Sequence, residues 1–294
     1  MYKRQTLVSA GTIQNSTLAD RLPTGTALTI SGGATYDVNN TNQTIGSLAG
    51  AGTLANSSTA GGNETFTVGN NSSTLFSGVI TLSGAAELNL TKRGTGTLTL
   101  SGTNNYAGIT TINEGTLSVS TIGNGGVAGN LGAATNANAN LVLGGGILQY
   151  TGSTASTNRG FTLTAGTKSS IDVSTLATVL TLSGGSAVTT GALDKIGTGT
   201  LTFSGAKSYT GLTSVNGGTL AYGASNVLST GGITVDGATS ILSLGANRTD
   251  SVGTVTVSNG GSITGSGTSA LTSTGSFEMQ AGTVSAILAG PVLL

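Results

Sequence analysis

"KRGTGTLTLSGTNNYAGITTINEGTLSVS", residues 92–120, returns as "KIGTGTLTFSGAKSYTGLTSVNGGTLAYG", residues 195–223. Lys92 aligns with Lys195 at an offset of 103 without a gap, and 16 of the 29 positions are identical. Shared positions include Gly94/Gly197, Leu98/Leu201, Tyr106/Tyr209, Asn113/Asn216 and Gly115-Thr116-Leu117/Gly218-Thr219-Leu220. Repetition at a fixed period marks an array of supersecondary units. A third trace, "SAGTI", places Gly11-Thr12-Ile13 one such period before Gly115-Thr116-Leu117. It reads as the tail of a truncated copy near residues 8–13. The expectation is one continuous stretch over 1–294, built from units of about 103 residues.

The spacing within each unit is two. In "TLTLS" Leu98 and Leu100 alternate with Thr97, Thr99 and Ser101, and "TLSVS", "VLTLSG" and "ILSLG" follow the same rule. Such alternation, stopped by Gly or Asn, signals half-buried strands. Gly and Asn tolerate the positive φ of tight corners. No window shows a capped helical stripe. Sandwich, barrel and solenoid all suit many short strands. The long repeat fixes no strand count for closing a barrel, and the corners are too short for crossover helices. Outward Thr and Ser also stack in parallel without the repulsion of like charges. The predicted fold is all-β, a right-handed parallel β-helix with coils of about 20–24 residues spaced ~4.8 Å apart. One coil is expected to run "TLTLSG", "TNNYAG", "ITTINEG" and "TLSVS".

Composition narrows the function. Only 7% of the 294 residues are charged, against about 25% in ordinary soluble domains. Ten basic and ten acidic residues cancel, so there is no basic stripe for nucleic acid. With no Cys, the chain has neither disulfides nor a thiolate metal site. Lys3 and Arg4 precede no continuous apolar run, so no signal peptide is expected. "MYKRQ" and "PVLL" are not expected to be natural ends.

"GTGTLTLSGTNNYAGITTINEGTL" and "GTGTLTFSGAKSYTGLTSVNGGTL" closely resemble the autotransporter-associated β-strand repeat of bacterial type V autotransporter passengers. "IGSLAGAGTL" (45–54), "TLFSGVI" (74–80) and "EMQAGTVSAILAG" (278–290) resemble the segments between such repeats. The resemblance implies a structural or adhesive stalk, displayed on the bacterial outer membrane or secreted. It also implies a C-terminal translocator barrel in the full-length protein, and partners among host or neighbouring-cell glycans or proteins. Self-association is a further expectation, through unpaired coil faces at the ends.

No catalytic, cofactor or metal site is expected. There is no His or Cys, which removes the commonest base and the thiol nucleophile. A carboxylate pair, as in polysaccharide-cleaving β-helices, is the remaining enzymatic reading. Asp172 and Asp194, separated by one expected coil, are the best pair; Glu87 and Glu114 lie further apart in the chain. "GAGTLA" (50–55) mimics a dinucleotide fingerprint without the helix that motif needs. "GGITVD" (231–236) fails the Ca²⁺ repeat at Thr234. Recurring Thr-x-Thr at Thr97/Thr99, Thr162/Thr164 and Thr200/Thr202 is too irregular for an ice- or crystal-binding face. Asn-x-Ser/Thr triplets such as Asn15-Ser16-Thr17 and Asn247-Arg248-Thr249 carry no weight in so Asn-rich a chain. Tyr106 and Tyr209 read as corner plugs rather than sugar platforms. Asn113 and Asn216 read as left-handed corners or stacked amides, and Lys92 and Lys195 as blunting exposed strand ends.

Overall fold

Leu98 and Leu100 lie buried, at most 1% exposed, while Thr97 and Thr99 between them stay half-buried. This alternation recurs throughout a computed structural model that describes residues 4–16, 18–82, 84, 85 and 87–290. "MYK" and the "PVLL" ending lie outside the described residues, as does Thr17 of the first Asn-x-Thr triplet. The described secondary structure is strand apart from one short 3₁₀ turn, Asn138–Asn140. Every described strand pair is parallel; the antiparallel contact is an isolated bridge, Asn104 to Gly129. The chain is a parallel β-solenoid, as the alternation implied.

Two compact units make up the chain. The first runs through Asn136 and takes in Asn140–Val142 and Gly146–Leu148; the second holds Ala137–Ala139, Leu143–Gly145 and Gln149–Leu294. Each unit stacks most of its strands into three parallel sheets. In the second unit Leu180, Leu201, Leu220, Leu242 and Ile263 lie in register on successive coils. All five are sealed from solvent. Burial of such a side chain stabilises by roughly 1.5–3 kcal/mol, so the aliphatic ladder is the main source of cohesion between coils.

Register corrects the expected coil path. Thr97–Leu100 pairs with Thr116–Val119, so "TLSVS" opens the next rung instead of closing the first coil. Thr97 lies beside Thr116, and Thr200 beside Thr219, so the cassette completes a full coil slightly sooner than expected. The corner assignment also changes. Asn113 and Asn216 do not take the left-handed conformation; Gly115 and Gly218 do, both at φ 60°. A Cβ on Gly218 would lie 2.4 Å from the Gly199 carbonyl oxygen of the coil below. Glycine is required there twice over, by φ and by the approach of one coil to the next.

Candidate functional site

The repeated cassette concentrates its polar side chains inside the coil. In "ELNLTKR" the inward positions are Leu88, Leu90 and Lys92, so parity turns Lys92 into the core. Lys195 occupies the same place after Leu193. Both are buried, at 2% and 0% exposure, which overturns the strand-end reading of these lysines. Their ammonium groups tie corners together. Lys92 Nζ donates to the carbonyls of Arg93 (2.6 Å), Gly94 (2.6 Å) and, on the next coil, Glu114 (3.3 Å). Lys195 Nζ donates to Ile196 (2.8 Å), Gly197 (3.0 Å) and Gly217 (3.0 Å). Each lysine thus satisfies three carbonyls that a buried corner would leave unpaired. Burial pushes Lys195 down to about 8, with the Asp172 carboxylate opposing that shift.

The next corner carries a second clasp. Lys207 Nζ donates to the carbonyls of Gly184 (2.6 Å), Gly205 (2.6 Å) and Leu182 (3.3 Å), with the Phe203 ring centroid 4.7 Å away. Burial pushes Lys207 down to about 7. At the equivalent position of the first copy stands Asn104, which accepts from Ile80 N and donates to Asn130 O. Asn130 in turn accepts from Ser120 N and Thr121 N, holding the segment after the cassette against the coil. Lys207 escaped the sequence reading. Its parity with Tyr209 in "GAKSYTG" was the available signal.

Tyr106 and Tyr209 are buried plugs, as expected. Each hydroxyl lies 2.8 Å from a threonine four residues on, Thr110 and Thr213. Phe161 packs against Tyr209 at 6.3 Å and Phe203 at 6.4 Å between ring centroids. Tyr209→Phe keeps the ring and removes one buried hydrogen bond, so it is expected to cost about 1 kcal/mol in urea unfolding. Tyr209→Ala is expected to cost about 3–5 kcal/mol, because it also opens a cavity.

The acids do not converge. Asp194 stands opposite Ser170, and Asp172 opposite Ile196, so the two carboxylates are out of step on neighbouring strands. Asp194 pairs with Lys168 at 2.7 Å, and Asp172 accepts from Gln149 at 2.8 Å. Glu114 accepts from Gly94 N at 2.9 Å, while Glu87 stands opposite Asn63 on the neighbouring strand. Among the described residues no three His, Cys, Asp or Glu side chains form a metal-holding group. After Gly50 and Gly52 comes strand Thr53–Asn56, where a nucleotide motif would need a helix. "GGITVD" ends in strand Ile233–Asp236, and Asn247 is a left-handed corner accepting from Thr268 N. Chemically, the cassette can hold coils together and can do little else.

Comparison with known proteins agrees with that geometry. The family described as Passenger-associated-transport-repeat matches residues 90–119 and 193–221, the two cassettes. The chain is an autotransporter passenger-repeat protein. The passenger-repeat chain is also 48% identical over 149 residues to a protein of Brucella suis biovar 1 (strain 1330), the "Adhesin BmaC autotransporter". That match covers 50% of this chain and 4% of the relative's length. No solved structure matches.

Proposed function

We infer that this chain is a structural and adhesive segment of a passenger displayed on, or released from, the bacterial outer membrane. The observation that carries the reading is the doubled cassette, whose polar groups are spent on holding coils together. The relative's printed name, an adhesin autotransporter, points the same way. Tandem units extend such a structure by near-neighbour contacts, so stability grows with each added coil. Low charge and the absence of Cys suit a chain that crosses an envelope before folding. The full-length protein carries a C-terminal translocator, and its partners are surfaces of other cells.

A glycan-binding or glycan-cleaving β-helix is the second reading, and one observation weighs against it. Every aromatic ring among the described residues is buried, so no ring platform faces a sugar. The test places the chain between a secretion leader and an outer-membrane barrel in a non-adherent bacterium. Expected are digestion of the passenger by protease on intact cells and increased adherence. Retention inside the cell, or display with no gain in adherence, would count against the proposal. Asp172→Asn combined with Asp194→Asn is expected to leave adherence unchanged; its loss would revive the glycan reading.

A further inference from the structure

We propose that the second unit carries a lateral docking face for a second copy of this chain, centred on Leu176 and the sheet beside it. The sheet runs through Ala155–Thr157, Val179–Leu182, Thr200–Phe203, Thr219–Tyr222, Ile241–Ala246, Gly261–Ser266 and Gly282–Val284. None of these strands contains a charged residue. The charges sort elsewhere in the unit: Lys168, Asp172, Asp194, Asp236 and Glu278 all lie on a different sheet.

Register makes the face regular. One outward column is Val179, Thr200, Thr219, Ile241, Ser262 and Thr283, and a second runs from Ser156 to Thr264 two residues along. Hydroxyls and methyls therefore repeat at ~4.8 Å between coils and ~6.7 Å along each strand. A second copy of the same face has the same two spacings, so matching one coil matches them all. With no charge on either side, self-pairing meets no like-charge repulsion and desolvates no ion.

A knob and a hole stand together on this face. Leu176 is 78% exposed, and it borders a depression of about 310 Å³ whose other walls are Thr198, Gly218, Thr219, Thr239 and Ile241. Two copies related by a two-fold axis seat each Leu176 in the other's depression, which is the self-complementary geometry of an isologous contact. Six coils of one strand width give roughly 350 Å² per copy from the strand spacings. The total of about 700 Å² falls short of the ~1,200 Å² typical of stable complexes. The contact is therefore weak for one chain and gains strength where tandem units engage together. It deepens the adhesive reading, on which it rests for its use, by naming the partner as another copy.

Sedimentation of the purified full chain from micromolar to millimolar concentration tests this. Wild type is expected to dimerise at the upper end. Leu176→Asp and Leu176→Lys should each weaken dimerisation about tenfold or more, and mixing the two should restore it. Val188→Asp, at a site equally exposed (79%) and outside the face, should change nothing. The proposal is overturned if wild type stays monomeric at millimolar concentration, or if Leu176→Asp dimerises as wild type does. It is equally overturned if monomeric chain is retained on a polysaccharide through Leu176. All variants must keep the wild-type unfolding transition. These readouts use purified chain, so their failure leaves the surface-display result standing, and the reverse.

Discussion

Lys207→Met should cost the second unit about 3 kcal/mol at pH 7 and should also flatten its pH dependence. The first part follows from geometry. Methionine keeps most of the side-chain volume against Phe203 but donates nothing to the carbonyls of Leu182, Gly184 and Gly205. Each buried acceptor left without a partner costs about 1–3 kcal/mol, and the low end of that range gives the figure. The second part follows from linkage. An unfolded lysine titrates near 10.4, while burial holds Lys207 at about 7 and Lys195 at about 8. Below pH 7 both states are charged, and the desolvation cost of the buried ammonium is fully present. Between pH 7 and 10 the folded chain gives up its proton first, the unfolded chain binds more protons, and stability rises. For Lys207 the rise amounts to as much as about 4 kcal/mol. Above pH 10 the trend reverses. Burial raises Tyr36 to about 12 and Tyr209 further, so tyrosines ionise in the unfolded chain first. Urea unfolding at intervals from pH 6 to 11 should therefore show a maximum near pH 10. Lys207→Met should keep the fall and lose most of the rise. A wild-type profile flat from pH 7 to 10 would refute the linkage, and a variant as stable as wild type would refute the clasp.

Much of this was legible in the sequence, and the limits are physical. The period-two pattern of Leu98, Leu100, Leu117 and Val119 pointed to the strands, and the long repeat pointed to the solenoid. The early closure of the rung was not legible, because "TLTLS" and "TLSVS" look alike whether they share a coil or stack on each other. Lys92 was misplaced because lysine is almost never fully buried. Its parity with Leu88 and Leu90 pointed inward and was the better guide. Asn113 was taken for the corner on residue type, yet the left-handed φ falls at Gly115 two positions on. The acids illustrate the converse. A spacing close to one coil put Asp172 and Asp194 on neighbouring strands, but coils vary in length and the two end out of step.

Gly218→Ala is expected to be the most damaging single-methyl addition in the second cassette, above about 4 kcal/mol. Two separable costs add there. An L-residue at φ 60° pays roughly 1–2 kcal/mol against the following carbonyl. The added Cβ would also sit 2.4 Å from the Gly199 oxygen and 2.6 Å from that of Gly197. Both atoms belong to the backbone of the preceding coil, which cannot rotate away as a side chain does. Relief requires the coils to part, and Leu201 on Leu220 and Phe203 on Tyr222 resist that. Gly166 separates the two costs. It holds φ 73° with nothing within 4 Å of an added Cβ, so Gly166→Ala should lose only the conformational part, about 1–2 kcal/mol. Urea unfolding of the pair measures the difference, which is the energy of stacking one coil's corner on the next. Equal losses would mean that φ alone selects glycine at these corners. A loss at Gly218 larger by about 2 kcal/mol or more would mean that close stacking selects it too, and that the same contact sets the rise from coil to coil.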